Sequence, residues 1–181
     1  MSPLLTVAVI LVGALGVLNL LLSLAIVRKL RSSAPASAPP VVSGLAQGGT
    51  LPEFEATGRD GATATSAMFA DGGLLIFLRA RCHWCWEKLP AMGGYIHSTG
   101  YAPDRVLFVV IEDGEVSAEH WQELGSLGVV VGENAGGALS ERFQIRATPA
   151  YGFIGPGALI GPWATDPAEL PQVERTLGSR G

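Results

Sequence analysis

The chain has 181 residues, 48% of them hydrophobic, with a formal net charge of −4 at pH 7, enough for one domain and an appendage. The only three charges in the first 31 residues are basic (Arg28, Lys29 and Arg31), so the remainder carries 9 basic against 16 acidic side chains. An acidic domain without a basic stripe argues against nucleic acid as a partner.

The appendage comes first. From Leu4 to Val27 no residue is charged, and only Thr6, Asn19 and Ser23 are polar. At about 1.5 Å per helical residue, such a run covers a hydrocarbon core of roughly 30 Å. A cleaved signal peptide competes with this reading, because Ala34 to Ala38 offers small residues in an A-x-A arrangement. The run is long for a signal-peptide core, however, and no basic residue precedes it, so residues 4–27 read as one permanent transmembrane helix. The lipid bilayer is then one partner of the chain. Residues 28–48 supply a basic flank and then a Pro/Ala/Ser/Gly linker, stiffened at Pro35, Pro39 and Pro40. Residues 49–181 are left for a domain with its own core. The basic flank places that domain in the cytoplasm by the positive-inside rule, although large domains also cross despite their flanks.

Within the domain, Glu53 to Thr57 and Ala62 to Thr65 read as a hairpin around Gly58-Arg59-Asp60-Gly61. Leu74 to Leu78 is a buried strand, and Trp86 to Ile96 is a helix-compatible run. Arg105 to Ile111 is a second strand apolar on both faces, as interior sheet strands are. Ser117 is placed to N-cap a helix through Leu124. Val129 to Val131 is a short strand and Gly137 to Phe143 a short helix. Ala150 to Ile154 and Ala158 to Ile160 flank the turn Gly155-Pro156-Gly157, and Asp166 with Pro167 opens a last helix to about Leu177. Strands alternating with helices, then a hairpin and helix, predict a mixed sheet covered on both faces.

The only two cysteines stand in Cys82-His83-Trp84-Cys85, between the strand at Leu74 and the helical run. Two thiols three positions apart on a first helical turn come close enough to close a disulfide. Free N–H groups and the positive end of the helix dipole stabilise a thiolate there, which lowers the expected pKa of Cys82. That is thiol–disulfide exchange chemistry. A zinc half-site would need further ligands, and only His83, His97 and His120 remain besides carboxylates. A copper carrier would use the thiolates with a histidine, and an inert disulfide over so short a loop gains little from closure.

The element order, with CxxC at a strand-to-helix junction and Ala147-Thr148-Pro149 before the hairpin strand, resembles the thioredoxin fold. Within that superfamily the anchor, the linker, Leu51-Pro52-Glu53-Phe54 and Pro90 look like the membrane-tethered TlpA/ResA group. Phe143-Gln144-Ile145 followed by Thr148-Pro149-Ala150-Tyr151-Gly152 is also similar to MauD-type accessory proteins of methylamine dehydrogenase maturation. The resemblance implies that Pro149 is cis and faces the CxxC. It also implies that Thr148 offers backbone groups to an extended protein client, that no cofactor or metal is needed, and that the domain faces the extracytoplasmic side.

The chain departs from those families in several places. Arg81 stands where tryptophan is usual before the first cysteine. Lys88 occupies a position often held by Glu, with Glu87 one place early. Ile76 replaces the buried acid that handles protons in thioredoxins, which leaves Glu87, Glu112 or water to deprotonate Cys85. A peroxiredoxin-like peroxidase would show Thr where Arg79 stands.

The expected roles follow. Cys82 is the exposed nucleophile and Cys85 resolves the mixed disulfide. Arg81, Lys88 and protonated His83 tune the Cys82 thiolate, while Trp84, Thr148 and Pro149 meet the client. Trp121 and Trp163 read as packing residues, and His97 and His120 as surface or helix-end residues. The expected activity is disulfide exchange with protein clients and an upstream redox partner. Alternatives are a metal or cofactor chaperone and a thiol peroxidase.

Overall fold

The computed structural model of the protein describes residues 43–172, together with residues 12, 13, 15, 16, 19 and 20, which are helical. The chain divides into two units, Met1–Pro40 and Val41–Gly181. The expected anchor over 4–27 otherwise lies outside the described residues. Among the described residues no helix is long and apolar enough to cross a membrane.

In the second unit a five-stranded sheet has the order β5-β4-β3-β6-β7. Its strands are β3 (Asp71–Arg79), β4 (Val106–Ile111), β5 (Val129–Glu133), β6 (Ala150–Pro156) and β7 (Leu159–Ala164). β3 and β4 run parallel with Leu74 opposite Val106, β4 and β5 are parallel, and β6 and β7 are antiparallel additions. β4 and the Leu74–Leu78 stretch of β3 are apolar at every position because both faces are covered. Leu74, Ile76 and Leu78 point into one cluster with Cys85, Leu89, Met92 and Tyr151. Leu75 and Phe77 point into the other with Phe54, Phe69, Leu139 and Phe143. A separate antiparallel pair, β1 (Glu55–Thr57) and β2 (Thr63–Thr65), forms the expected hairpin.

The helices are α1 (His83–Glu87), α2 (Leu89–Thr99), α3 (Ala118–Leu127) and α4 (Ala138–Arg142). Ser117 caps α3, its Oγ accepting from His120 N–H at 3.2 Å. The single helical run expected after Cys85 is instead two helices meeting at Lys88. Pro90, in the first turn of α2, has no N–H to give and its ring crowds the carbonyl four residues back, so the helix cannot run through. The helix expected from Pro167 to Leu177 is, within the described residues, a 3-10 turn over Pro167–Glu169. Leu170 is already extended (φ −68°, ψ 148°), the conformation a following proline, here Pro171, imposes.

Residues 43–48, assigned to the linker on composition, are bonded to the second unit. Ser43 Oγ donates to the Ala147 carbonyl and accepts from Arg146 and Ala147 N–H, at 3.0 to 3.2 Å. Trp163 Nε1 donates to the Leu45 carbonyl at 3.0 Å, and Gly48 N–H to the Ile160 carbonyl at 2.7 Å. Gly44, at φ +115°, lies flat on the Trp163 indole, where a Cβ would come within 2.2 Å of the ring.

Candidate active site

β3 delivers the chain to the C-terminal edge of the sheet, where Cys82 becomes the N-cap of α1. Its backbone is extended (φ −87°, ψ 95°) and its sulfur accepts from Cys85 N–H at 3.1 Å. The same N–H also donates to the Cys82 carbonyl at 3.0 Å, so a first-turn donor of the helix is shared between that oxygen and sulfur. Cys82 and Cys85 form a disulfide with 5.3 Å between their Cα atoms. Cys82 is half-buried and Cys85 fully buried.

The Thr148–Pro149 peptide is cis. The Thr148 carbonyl oxygen lies 3.8 Å from Cys82 Sγ. In the disulfide that sulfur has no proton to donate, so this is a contact; in the dithiol the same oxygen is an acceptor. The sheet brings the two segments together because β3 and β6 are neighbours, with Phe77 opposite Ala150.

The other expected site residues are arranged unequally. Trp84 is 53% exposed beside the disulfide. His83 projects into solvent, with Nε2 3.8 Å from Glu87 Oε2. Lys88 turns to Asp166, Nζ to Oδ2 at 2.5 Å, and lies 5.2 Å from the Trp84 ring centroid. That ammonium, followed by the Ala168 N–H, holds the Asp166 carboxyl below its ordinary value. Arg81 is exposed, its backbone N–H donating to Asp113 Oδ1 at 3.2 Å.

Neither carboxylate named for Cys85 is committed to it. Glu87 faces His83, and Glu112 pairs with Arg59 at 3.2 Å. Cys85 lies instead in the apolar cluster that holds Ile76, Leu78 and Tyr151. The Tyr151 hydroxyl is buried without a partner. Burial, and then the Asp166 carboxylate, push its phenol upward.

Some supports had no signal in the sequence. Asp113 braces the loop before Cys82, one oxygen on Arg81 N–H and the other 3.7 Å from Arg79 Nη1. Trp86 Nε1 donates to the Ala80 carbonyl at 2.9 Å, and its ring stacks on His120 at 4.5 Å. His120, in the first turn of α3 as expected of a helix-end residue, is thereby also part of the wall behind the motif. Of the other aromatic residues, Trp121 lies under the Arg59 guanidinium and Trp163 packs near Phe77.

No family model matches the chain, and no curated protein matches it. Solved structures do match. The thioredoxin domain of a thiol-disulfide oxidoreductase from Bacteroides vulgatus superposes with a TM-score of 0.52 at 19% identity, over 71% of this chain and 91% of that one. A thiol:disulfide interchange protein of the thioredoxin family from Chlorobium tepidum gives 0.52 at 13%, over 68% and 89%. A thio-disulfide isomerase from Thermus thermophilus gives 0.51 at 16%, over 67% and 87%. At such identities the likeness is one of fold: the second unit is thioredoxin-like, a mixed sheet with helices on both faces and a CxxC-spaced cysteine pair.

Proposed function

We propose that this chain is a membrane-tethered thiol–disulfide oxidoreductase that exchanges disulfides with protein clients through Cys82 and Cys85. The observation that carries the reading is the unequal burial of a bonded CxxC pair at a helix N-terminus, beside a cis-proline loop. Cys82 is reachable, Cys85 is not, and the Thr148 carbonyl lies against the reachable sulfur. In the reduced protein the Cys82 thiolate attacks a client disulfide; one S–S bond breaks, one forms, and a client thiolate leaves. Cys85 then loses its proton and attacks Cys82 sulfur, releasing the second client thiolate and restoring the intramolecular disulfide. A client segment laid along Thr148 gains backbone hydrogen bonds as an added strand does, with Trp84 offering a flat apolar contact. The TlpA/ResA resemblance and the apolar run 4–27 support the tethering.

Direction follows from charge. Of the groups expected to stabilise the Cys82 thiolate, Lys88 is paired with the Asp166 carboxylate and His83 stands 3.8 Å from that of Glu87. Arg81 remains. Weaker stabilisation of the thiolate favours the disulfide, so the pair is a reductant that draws electrons from an upstream partner.

The test is the reduction potential of the full chain in detergent, equilibrated with glutathione. A value near the roughly −270 mV of thioredoxin is expected. A value near about −150 mV would make it an oxidant or isomerase and reverse the direction. Failure of Cys82 and Cys85 to form a disulfide at any poise would sink the exchange reading and favour a metal-carrying role.

A further inference from the structure

Beside the cis-proline loop lies a cavity of about 430 Å³ lined by Arg79, Ile111, Ser140, Glu141, Gln144 and Arg146, among others. Its two arginines come from the two segments that build the reactive centre. Arg79 ends β3, three residues before Cys82, and Arg146 lies two residues before Thr148. Arg79 is incompletely neutralised: its Nη1 is 3.7 Å from Asp113 Oδ2, and its Nε is buried with no acceptor. Arg146 is exposed, and among the described residues its side chain has no ion pair or hydrogen bond. Only its backbone N–H is used, by Ser43 Oγ. Glu141 is the one carboxylate on the wall and Asp113 stands against Arg79 alone, so the Arg146 guanidinium is the cation left without a partner.

We propose that this cavity receives an acidic side chain of the client, so that preferred clients carry Asp or Glu close to the cysteine that Cys82 attacks. The inference rests on the exchange reading above and names its substrate class. An extended segment advances roughly 3.3 Å per residue. A client whose sulfur meets Cys82 and whose backbone runs along Thr148 therefore passes Arg146 two or three residues from its cysteine. A carboxylate at that position completes the arginine pair through charge-assisted, forked hydrogen bonds, the geometry guanidinium groups suit best. A lysine there meets two like charges, and that mismatch supplies selectivity.

Two synthetic peptides test this, each with one internal disulfide. They are identical except for Glu or Lys two and three residues from the attacked cysteine. The readout is the second-order rate of their reduction by the reduced full chain in zwitterionic detergent. Each turnover oxidises Cys82 and Cys85 to the disulfide, and the peptide gains two electrons and takes up two protons. The Glu peptide is expected to react about tenfold faster at low salt, with the advantage shrinking as salt screens the contact. In Arg146→Gln the preference should fall toward unity, and in Arg146→Glu it should invert. Arg146 is exposed, so neither change threatens the core. Equal rates for the two peptides in the wild-type chain, or a preference that survives Arg146→Glu, would overturn the inference while leaving the exchange reading intact. No reduction of either peptide would overturn both.

Discussion

At the residue scale, the tyrosine under the reactive centre is a buried group with unused polarity. Tyr151 pairs with Ile76 across β3 and β6, and its hydroxyl has no acceptor. A buried donor without a partner costs about 1–3 kcal/mol, so removing it should relieve rather than impose strain. Tyr151→Phe is expected to leave stability in urea unchanged or to raise it by up to about 1 kcal/mol. A loss of more than about 1 kcal/mol would show that a water bridges the hydroxyl. The Lys88–Asp166 pair makes the opposite case. The Asp166 carboxyl is held below its ordinary value, chiefly by Lys88. Its native form thus binds a proton less readily than its unfolded form. The pair's contribution is present above the ordinary carboxylate value of 3.8 and is lost as pH falls through the lowered native one. Asp166→Asn keeps an oxygen to cap Ala168 N–H but removes the charge. It should lower Tm slightly at pH 7, the modest effect of a partly exposed pair, and the two melting curves should converge in strong acid. A difference that persists at low pH would assign the effect to the cap instead.

At the scale of elements, what was legible in the sequence was local. Leu74 to Leu78 and Val106 to Ile111 announce themselves as interior strands because burial on both faces demands unbroken apolar runs. Ser117 signals its cap through backbone chemistry that neighbouring residues decide, and the expected hairpin turn forms two residues later than Gly155, at Gly157-Ala158, with Gly155 and Pro156 still in β6. The cysteine spacing belongs to the same class, since a three-residue separation at a helix start fixes its own geometry. The illegible parts depend on distant partners. Nothing near Asp113 says that its carboxylate will hold Arg81 N–H, 32 positions away in the chain. The pairing of Lys88 with Asp166 spans 78 positions, and it converts an expected tuner of Cys82 into half of a neutral pair. Two breaks are of another kind. Pro90 and Pro171 are visible in the sequence, yet Trp86 to Ile96 read as one helix-compatible run, and Asp166 with Pro167 as the start of a helix to about Leu177. Backbone sterics prevailed in both cases, splitting α1 from α2 and ending the last turn at Leu170.

At the scale of the whole molecule, the boundary between linker and domain bears on the active site. Composition ends the linker at residue 48, because Ser, Ala, Pro and Gly without charge describe a solvated spacer. Hydrogen bonding puts its last residues in the fold. Ser43 makes three hydrogen bonds to the Arg146–Ala147 backbone, immediately before the cis peptide. The following residues continue along β7: Gly48 and Gly49 pair with Ile160, and Leu51, whose N–H donates to the Ala158 carbonyl, is buried. Each such bond is worth about 0.5–1.5 kcal/mol net, and burying Leu51 adds about 1.5–3 kcal/mol. A chain beginning at residue 43 should therefore be more stable than one beginning at residue 52 by several kcal/mol, on the order of 10 °C in Tm for a domain of this size. The shorter chain also leaves the Arg146 and Ala147 N–H groups and the Ala147 carbonyl without Ser43, in the loop that carries Thr148. It should retain the reduction potential, which Cys82, Cys85 and α1 set, but bind protein clients less tightly, seen as a raised KM with kcat little changed. Equal Tm values for the two chains would return residues 43–51 to the linker. A shift in potential would mean that the segment acts on the cysteines themselves rather than on the edge that receives the client.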